Sequence, residues 1–414
     1  MIGVIGLGFV GLTTALGFSE YGFKVYSYDI DEKKREIIES KRVPFHEPNL
    51  SEALSRHFGN NFILVDSLVK VVQNSRVIFL CVGTPQAEDG KADLSILINA
   101  IDQCCDEMAG EFKTLVIKST VPPMTAKNIA KYIFEKKGLE VGKDIGLANN
   151  PEFLREGYAW DDFVKPDRIV VGADDSGSGS AVTEVYKEFP ASVHQVSLNS
   201  AEFIKYLSNC LLATMISFSN EMATIADVIG EINIPQAFSI LHQDKRWSGS
   251  PCSMSSYVYP GCGYGGYCLP KDTQAFLAMS NVVGEKAEIL EKVILQNTKR
   301  LHFTSTKIMK KAKREDQVTI LGLSFKPNSD DVRESPAKVV INILLENGYK
   351  NIVAYDPMAT EVFKANYKFP IQYASTLTKA IENAKVIVIL TSWEEFKVLK
   401  DCSSLIDARY LTMR

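Results

Sequence analysis

Two groups of residues have the types and spacing to carry chemistry. Gly6, Gly8 and Gly11 form a Gly-x-Gly-x-x-Gly turn, and Asp29 follows at the end of the next apolar run. In such a unit the first glycine permits a tight turn and the second lets backbone approach a pyrophosphate; the third lets a helix pack on the preceding strand. The helix N-terminus faces the anion, and the acid hydrogen-bonds a ribose 2′-hydroxyl while repelling a 2′-phosphate. The expected cofactor is NAD rather than NADP, with Lys34 near enough to temper that preference. The second group is the run Gly261-Cys262-Gly263-Tyr264-Gly265-Gly266-Tyr267-Cys268-Leu269-Pro270-Lys271-Asp272. Its glycines leave backbone open to close approach, and a cation one turn from Cys268 favours the thiolate. A thiolate beside a nicotinamide permits a definite sequence: hydride loss from an alcohol, thiol addition to the aldehyde, a second hydride loss, and hydrolysis of the thioester. By itself Cys268 reads as one more buried, inert thiol.

These groups must be held by elements the sequence also outlines. Ile2–Ile5, Lys24–Tyr28, Val77–Cys81 and Thr114–Lys118 read as buried strands separated by helical stretches, a pattern of parallel sheet with crossover helices. Thr84 and Thr120 fall just past two of these strands, where open α/β sheets bind ligands and a hydroxyl can meet cofactor or water. Gly172–Ser180 reads as a surface loop. Ala201–Ile229 has no Pro or Gly and recurs apolar at helical spacing on more than one face, so it is expected to be buried between domains or subunits, with Asn199 and Ser200 as its caps. A second helical stretch, 284–313, leads to a smaller α/β unit. Its features are the strand Val318–Leu321, a helix near Ala337–Asn347, the strand Asn351–Tyr355 ending at Asp356, and the strand Lys385–Leu390. It has no second Gly-x-Gly-x-x-Gly and need not bind a dinucleotide.

Composition narrows the class. At 414 residues two or three domains are expected. A net charge of −4 gives no reason to expect nucleic acid. No apolar run reaches the roughly 20 residues that cross a bilayer, and no secretory leader is evident, so a cytoplasmic protein is expected. The eight cysteines form no CxxC pair and no metal-ligand spacing, so no metal is expected.

The ordered motifs GLGFVGL, CVGTP, KSTVPP, NNPEFLREG, AEFIKYLSNCLLAT, GYGGYCLPKD, LGLSFKPNSDDVRESPA and YDP span essentially the whole chain. With them the sequence resembles the UDP-glucose/GDP-mannose dehydrogenase family. The resemblance implies an α/β protein of two Rossmann-like doubly wound domains joined by a long central helix. It divides the chain into an NAD-binding domain (1–198), a helical dimerisation domain (199–302) and a UDP-sugar-binding domain (303–414). It implies NAD as cofactor, a UDP-sugar as substrate, a homodimer through the central helix, and four-electron oxidation of UDP-glucose to UDP-glucuronate.

By position, Cys268 matches the nucleophile. Lys205 and Asn209, four residues apart on one helix face, match a pair that stabilises oxyanion character. Asp272 and Thr120 match residues that position water or aid proton transfer, and Glu152 matches the base for thioester hydrolysis. Glu156 matches the glutamate near the nicotinamide, and Phe9 and Val10 belong with the dinucleotide turn. Lys326 and Arg333 are similar to cations that meet the UDP-sugar and NAD respectively. Phe153, Leu154, Tyr257 and Gly265 match substrate-lining positions. Arg246 matches an arginine that reaches the partner subunit's substrate, although Ser248–Ser253 resembles an insertion. Three other readings stay open: another nucleotide sugar such as GDP-mannose or a UDP-N-acetylhexosamine, a two-electron β-hydroxyacid-type dehydrogenase, and an NAD-binding sensor without catalysis.

Overall fold

Short strands that are apolar on both faces are stable only in a sheet covered on both sides. The computed structural model, which describes residues 1–108, 110–243, 259–282 and 287–413, contains two such sheets. Arg246, Tyr257 and the stretch Ser248–Ser253 lie outside the described residues. The chain divides into two compact units, Met1–Leu207 and Ser208–Arg414.

The first unit holds eight strands: β1 (Ile2–Ile5), β2 (Val25–Tyr28), β3 (Phe62–Leu64), β4 (Val77–Leu80), β5 (Thr114–Ile117), β6 (Gly146–Asn149), β7 (Ile169–Gly172) and β8 (Val193–Val196). Their order is β3-β2-β1-β4-β5-β6-β7-β8. The chain reverses strand order at β1 and β4, where a doubly wound sheet opens a crevice for ligand. Alternation along the strands explains the two-sided core. Val77, Phe79, Val116 and Ala148 enter one apolar cluster, while Ile78, Leu80, Leu115, Ile117 and Leu147 enter another. β1 to β6 are parallel, but β7 meets β6 antiparallel through Asn149 and Gly172.

Two local expectations are corrected. Gly172–Ser180 is not all loop: a helix begins at Ser176 and runs to Val185, because the Asp175 carboxylate accepts the Ser178 N–H at 2.7 Å and caps it. The long helix spans Leu198–Ile229, so Asn199 and Ser200 lie inside its first turn. The cap is Ser197, whose Oγ accepts the Ser200 N–H at 3.2 Å.

In the second unit β9 (Val318–Leu321), β10 (Ile352–Tyr355), β11 (Gln372–Tyr373), β12 (Val386–Ile389) and β13 (Leu405–Asp407) form a parallel sheet in the order β11-β10-β9-β12-β13. Its centre repeats the first sheet's plan. Asp356, after β10, accepts the Leu323 N–H at 2.8 Å, as Asp29 after β2 accepts the Leu7 N–H at 2.6 Å. Asp356 is also bonded by Ser324 Oγ at 2.9 Å and Trp393 Nε1 at 3.0 Å, and it is 2 % exposed. Asp356 is thus held by side chains of its own unit, Ser324 and Trp393, where Asp29 is held by Lys34.

Candidate functional site

The glycine turn of the first unit has the shape that an anion requires. Gly6 sits at φ +89°, and a Cβ on Gly11 would lie 1.7 Å from the Gly6 carbonyl oxygen, so the helix Phe9–Glu20 packs against the turn only with glycine at both places. Gly8 stands at the N-cap of that helix with no side-chain cap, and a Cβ there would meet nothing within 4 Å. The first N–H groups of the helix, at Phe9, Val10 and Gly11, are thus left uncapped beside open space at Gly8. Asp29 accepts Leu7 N–H, Asp31 N–H at 2.9 Å and Lys34 Nζ at 2.8 Å. Burial pushes its carboxyl up, but Lys34 and the two N–H groups outweigh this and hold it below its ordinary range. Lys34 is thus bound to the acid. An uncapped helix, a glycine cradle and an ionised strand-end acid together fit NAD. Thr84 and Thr120, expected near it, are joined: Thr84 Oγ1 donates to the Thr120 carbonyl at 2.9 Å.

The same unit buries a charged cluster past the ends of β5 and β6. Glu152 lies in an irregular segment, not on a helix, so it and Glu156 do not share a helical face. Glu152 is 6 % exposed, and its carboxylate accepts Lys205 Nζ at 2.8 Å and the Leu154 N–H at 2.5 Å. Burial raises the Glu152 pKa, yet the Lys205 ammonium, the Leu154 N–H and Lys118 pull it below the ordinary value. Phe153 lies beneath the Arg168 guanidinium, 4.2 Å from the ring centroid, with Lys205 Nζ at 5.5 Å. Lys118, which the motif reading passed over, is also buried and donates to Asn150 Oδ1 at 2.9 Å. A lysine ending an otherwise apolar buried strand was the available signal.

In the second unit Cys268 is the first residue of the helix Cys268–Val282, a position that favours a thiolate. Lys271 is not a lone cation beside it. Its Nζ pairs with Asp272 Oδ1 at 2.6 Å, and the other Asp272 oxygen accepts the Asn209 side-chain amide. Burial lowers the Lys271 pKa, but Asp272 more than offsets this and keeps the ammonium charged. The glycine run before Cys268 is fixed by groups that its motif did not reveal. Asn297 accepts the Tyr264 N–H at 2.8 Å and donates to its carbonyl at 3.0 Å, and Arg300 Nε donates to the Gly261 carbonyl at 2.7 Å. A Cβ on Gly265 would lie 2.3 Å from the Glu334 carbonyl oxygen, so backbone passes where a side chain cannot. Arg333 is paired to Asp331 at 2.6 Å and stacks over Tyr267, 4.4 Å from its centroid; Lys326 Nζ lies over Phe325 at 5.3 Å.

The structure thus joins Glu152 with Lys205 in one unit and Asn209 with Asp272 in the other. Lys205 and Asn209 are one turn apart on the long helix. Among the described residues no cluster of His, Cys, Asp and Glu could hold a metal, and no helix is long and apolar enough to cross a membrane.

Residues 1–190 match a family model described as the UDP-glucose/GDP-mannose dehydrogenase family NAD-binding domain; 199–299 match its central domain and 319–412 its UDP-binding domain. UDP-glucose 6-dehydrogenase YwqF of Bacillus subtilis is 35 % identical over 399 residues, 96 % of this chain and 88 % of that protein. A UDP-glucose dehydrogenase structure from the archaeon Pyrobaculum islandicum superposes with a TM-score of 0.92 at 34 % identity, covering 99 % of this chain and 94 % of that one. A UDP-D-ManNAc dehydrogenase structure from Pyrococcus horikoshii gives a TM-score of 0.86 at 27 % identity, covering 99 % and 95 %.

Proposed function

We propose UDP-glucose as the substrate, starting from the fact that this chain belongs to the UDP-glucose/GDP-mannose dehydrogenase family and is therefore an NAD-dependent oxidoreductase of nucleotide sugars. The reaction is oxidation of the sugar's primary alcohol to a carboxylate, giving UDP-glucuronate. The observation that carries the four-electron reading is Cys268 at a helix N-terminus, three residues before Lys271 of the buried chain Lys271–Asp272–Asn209. A two-electron alcohol oxidation needs no nucleophile; two oxidations at one carbon do, because the aldehyde must be held and converted to a form that loses hydride again.

NAD, when bound, supplies the hydride acceptor for each oxidation. Phe9, Val10, Gly11 and Asp29 hold it, with Thr84, Glu156 and Arg333 assigned to the same ligand. Lys205 and Asn209 stabilise negative charge on the sugar oxygen as the alcohol becomes aldehyde. The Cys268 thiolate adds to the aldehyde carbon, and the resulting thiohemiacetal loses its second hydride to become a thioester. Glu152 takes a proton from water, which attacks the thioester carbonyl and releases carboxylate and thiol. The Lys205 pairing supports that role, since it keeps Glu152 in the deprotonated form a base requires. Asp272 and Thr120 position water or protons; Phe153, Leu154, Gly265 and Lys326 contact the UDP-sugar, with Arg246 and Tyr257 assigned by their place in the chain.

The active species is a homodimer formed through the long helix. Phe203, Leu207 and Leu211 recur every fourth residue there and are 43 %, 53 % and 51 % exposed, an apolar stripe of the kind a partner covers. The described cysteines are all free, which suits a reducing cytoplasm. The Pyrococcus relative keeps a UDP-N-acetylhexosamine in view as the second reading. A panel of UDP-glucose, GDP-mannose and UDP-N-acetylhexosamines, followed by NADH absorbance, tests the proposal. UDP-glucose is expected to give the highest kcat/KM; a higher value for another sugar overturns the substrate assignment.

A further inference from the structure

Four lysines are buried among the described residues: Lys113, Lys118, Lys205 and Lys271. Three are ion-paired, with Glu111 at 3.0 Å, Glu152 at 2.8 Å and Asp272 at 2.6 Å. Among the described residues Lys118 has no carboxylate in ion-pair contact, although it is 4 % exposed. Its Nζ donates to Asn150 Oδ1 and lies 5.8 Å from the centroid of the Phe163 ring. A buried ammonium without a counter-ion is costly, and such groups concentrate at sites of function.

What Lys118 faces suggests its use. Glu152 from the segment after β6, Lys205 from the long helix and Cys81 from the end of β4 all act on its charge. Asn150, whose Oδ1 accepts the Lys118 hydrogen bond, is itself held by three further bonds. Its backbone N–H donates to Ile117 O at 2.9 Å and its Nδ2 to Val170 O at 2.8 Å, while the Tyr186 hydroxyl shares its Oδ1 at 2.6 Å. Asn150 begins the irregular segment that carries Glu152 two residues later. Lys118 is therefore anchored to the side chain of Asn150, two residues before Glu152, and acts on that carboxylate without being paired to it.

We infer that Lys118 is a positioning residue for hydrolysis: a second buried ammonium, held by Asn150, that keeps Glu152 ionised when Lys205 turns from it to the substrate oxygen. This rests on the reading of Glu152 as the hydrolytic base. Lys205 cannot serve the carboxylate and a developing oxyanion equally. Without another positive charge the buried carboxylate would take up a proton at the moment it is needed. Desolvation of Lys118, pushing it down to about 8, makes its charge sensitive to its neighbours, while Glu152 and Cys81 pull the other way.

The test is the pH dependence of kcat with UDP-glucose and saturating NAD for the full-length enzyme. Lys118→Met is expected to move the acid limb to higher pH, so that at acid pH kcat falls about tenfold further below that variant's own plateau than wild type does. Lys118→Arg, which keeps the charge, is expected to restore the limb toward its wild-type position. A role in packing alone would lower the whole curve without moving the limb. Should Lys118→Met not fold, Lys118→Gln keeps a donor for Asn150 and carries the same expectation. Neutral variants with an unmoved limb overturn the inference. Glu152→Gln separates the two readings: if it abolishes the limb while the Lys118 variants leave it in place, only Lys118 is misassigned. If the limb survives Glu152→Gln, the base assignment fails and the Lys118 inference falls with it.

Discussion

Cys268 is assigned its reactivity from its place at the start of a helix and from Lys271 nearby, whose ammonium is shared with Asp272. Cys268→Ser is expected to lower steady-state carboxylate formation by on the order of 10³-fold or more, since an alkoxide cannot form readily and an ester is a poorer acyl intermediate. Near-normal carboxylate formation, measured by chromatography of the products, would remove the thioester from the mechanism. Lys118 makes a stability prediction as well. Its folded-state pKa of about 8 lies below its ordinary 10.5, so between those values the unfolded chain binds more protons, and wild-type stability rises with pH. Below about pH 8 the desolvation cost is present in full. Lys118→Met is therefore expected to raise stability at pH 7 by about 1–3 kcal/mol and to flatten the rise, read from urea unfolding at several pH values. A destabilised variant with an unchanged pH slope would contradict this. Neither property was legible in KSTVPP, because burial and the lack of a counter-ion are set by residues up to 87 positions away, such as Lys205.

The elements were easier to read than their ends. Alternating apolar strands and helices specify a parallel sheet because no other arrangement buries both faces. The ends depend on single hydrogen bonds. Ser197 starts the long helix before Asn199, and Asp175 turns part of a Gly/Ser-rich loop into helix. The glycine run before Cys268 was visible as unusual, but not the groups that hold it, since Asn297 and Arg300 come from a helix about 30 residues downstream. Gly265→Ala places a methyl 2.3 Å from the Glu334 carbonyl. It is expected to cost about 1–3 kcal/mol and to lower kcat, checked by thermal melting and initial rates; a variant of full stability and activity would show that the loop gives way. On the long helix, Leu207→Glu with Leu211→Glu is expected to convert the proposed dimer to monomer by sedimentation velocity. A dimer that persists would place the interface elsewhere.

At the scale of the molecule, two sheets of the same plan have been put to different ends. Asp29 keeps a glycine turn and an open helix N-terminus beside it, whereas Asp356 is closed off by Ser324 and Trp393. The second sheet lacks the Gly-x-Gly-x-x-Gly turn in its sequence; Trp393 as a partner of its strand-end acid was not visible there, because it comes from beyond β12. In the proposed mechanism one nucleophile, Cys268, lets a single carbon be oxidised twice. The most direct measurement is the yield of NADH when a limiting, known amount of UDP-glucose is consumed to completion with excess NAD. Two NADH for each UDP-glucose, with UDP-glucuronate as product, is the result expected. One NADH for each, with the sugar left as aldehyde, would contradict it.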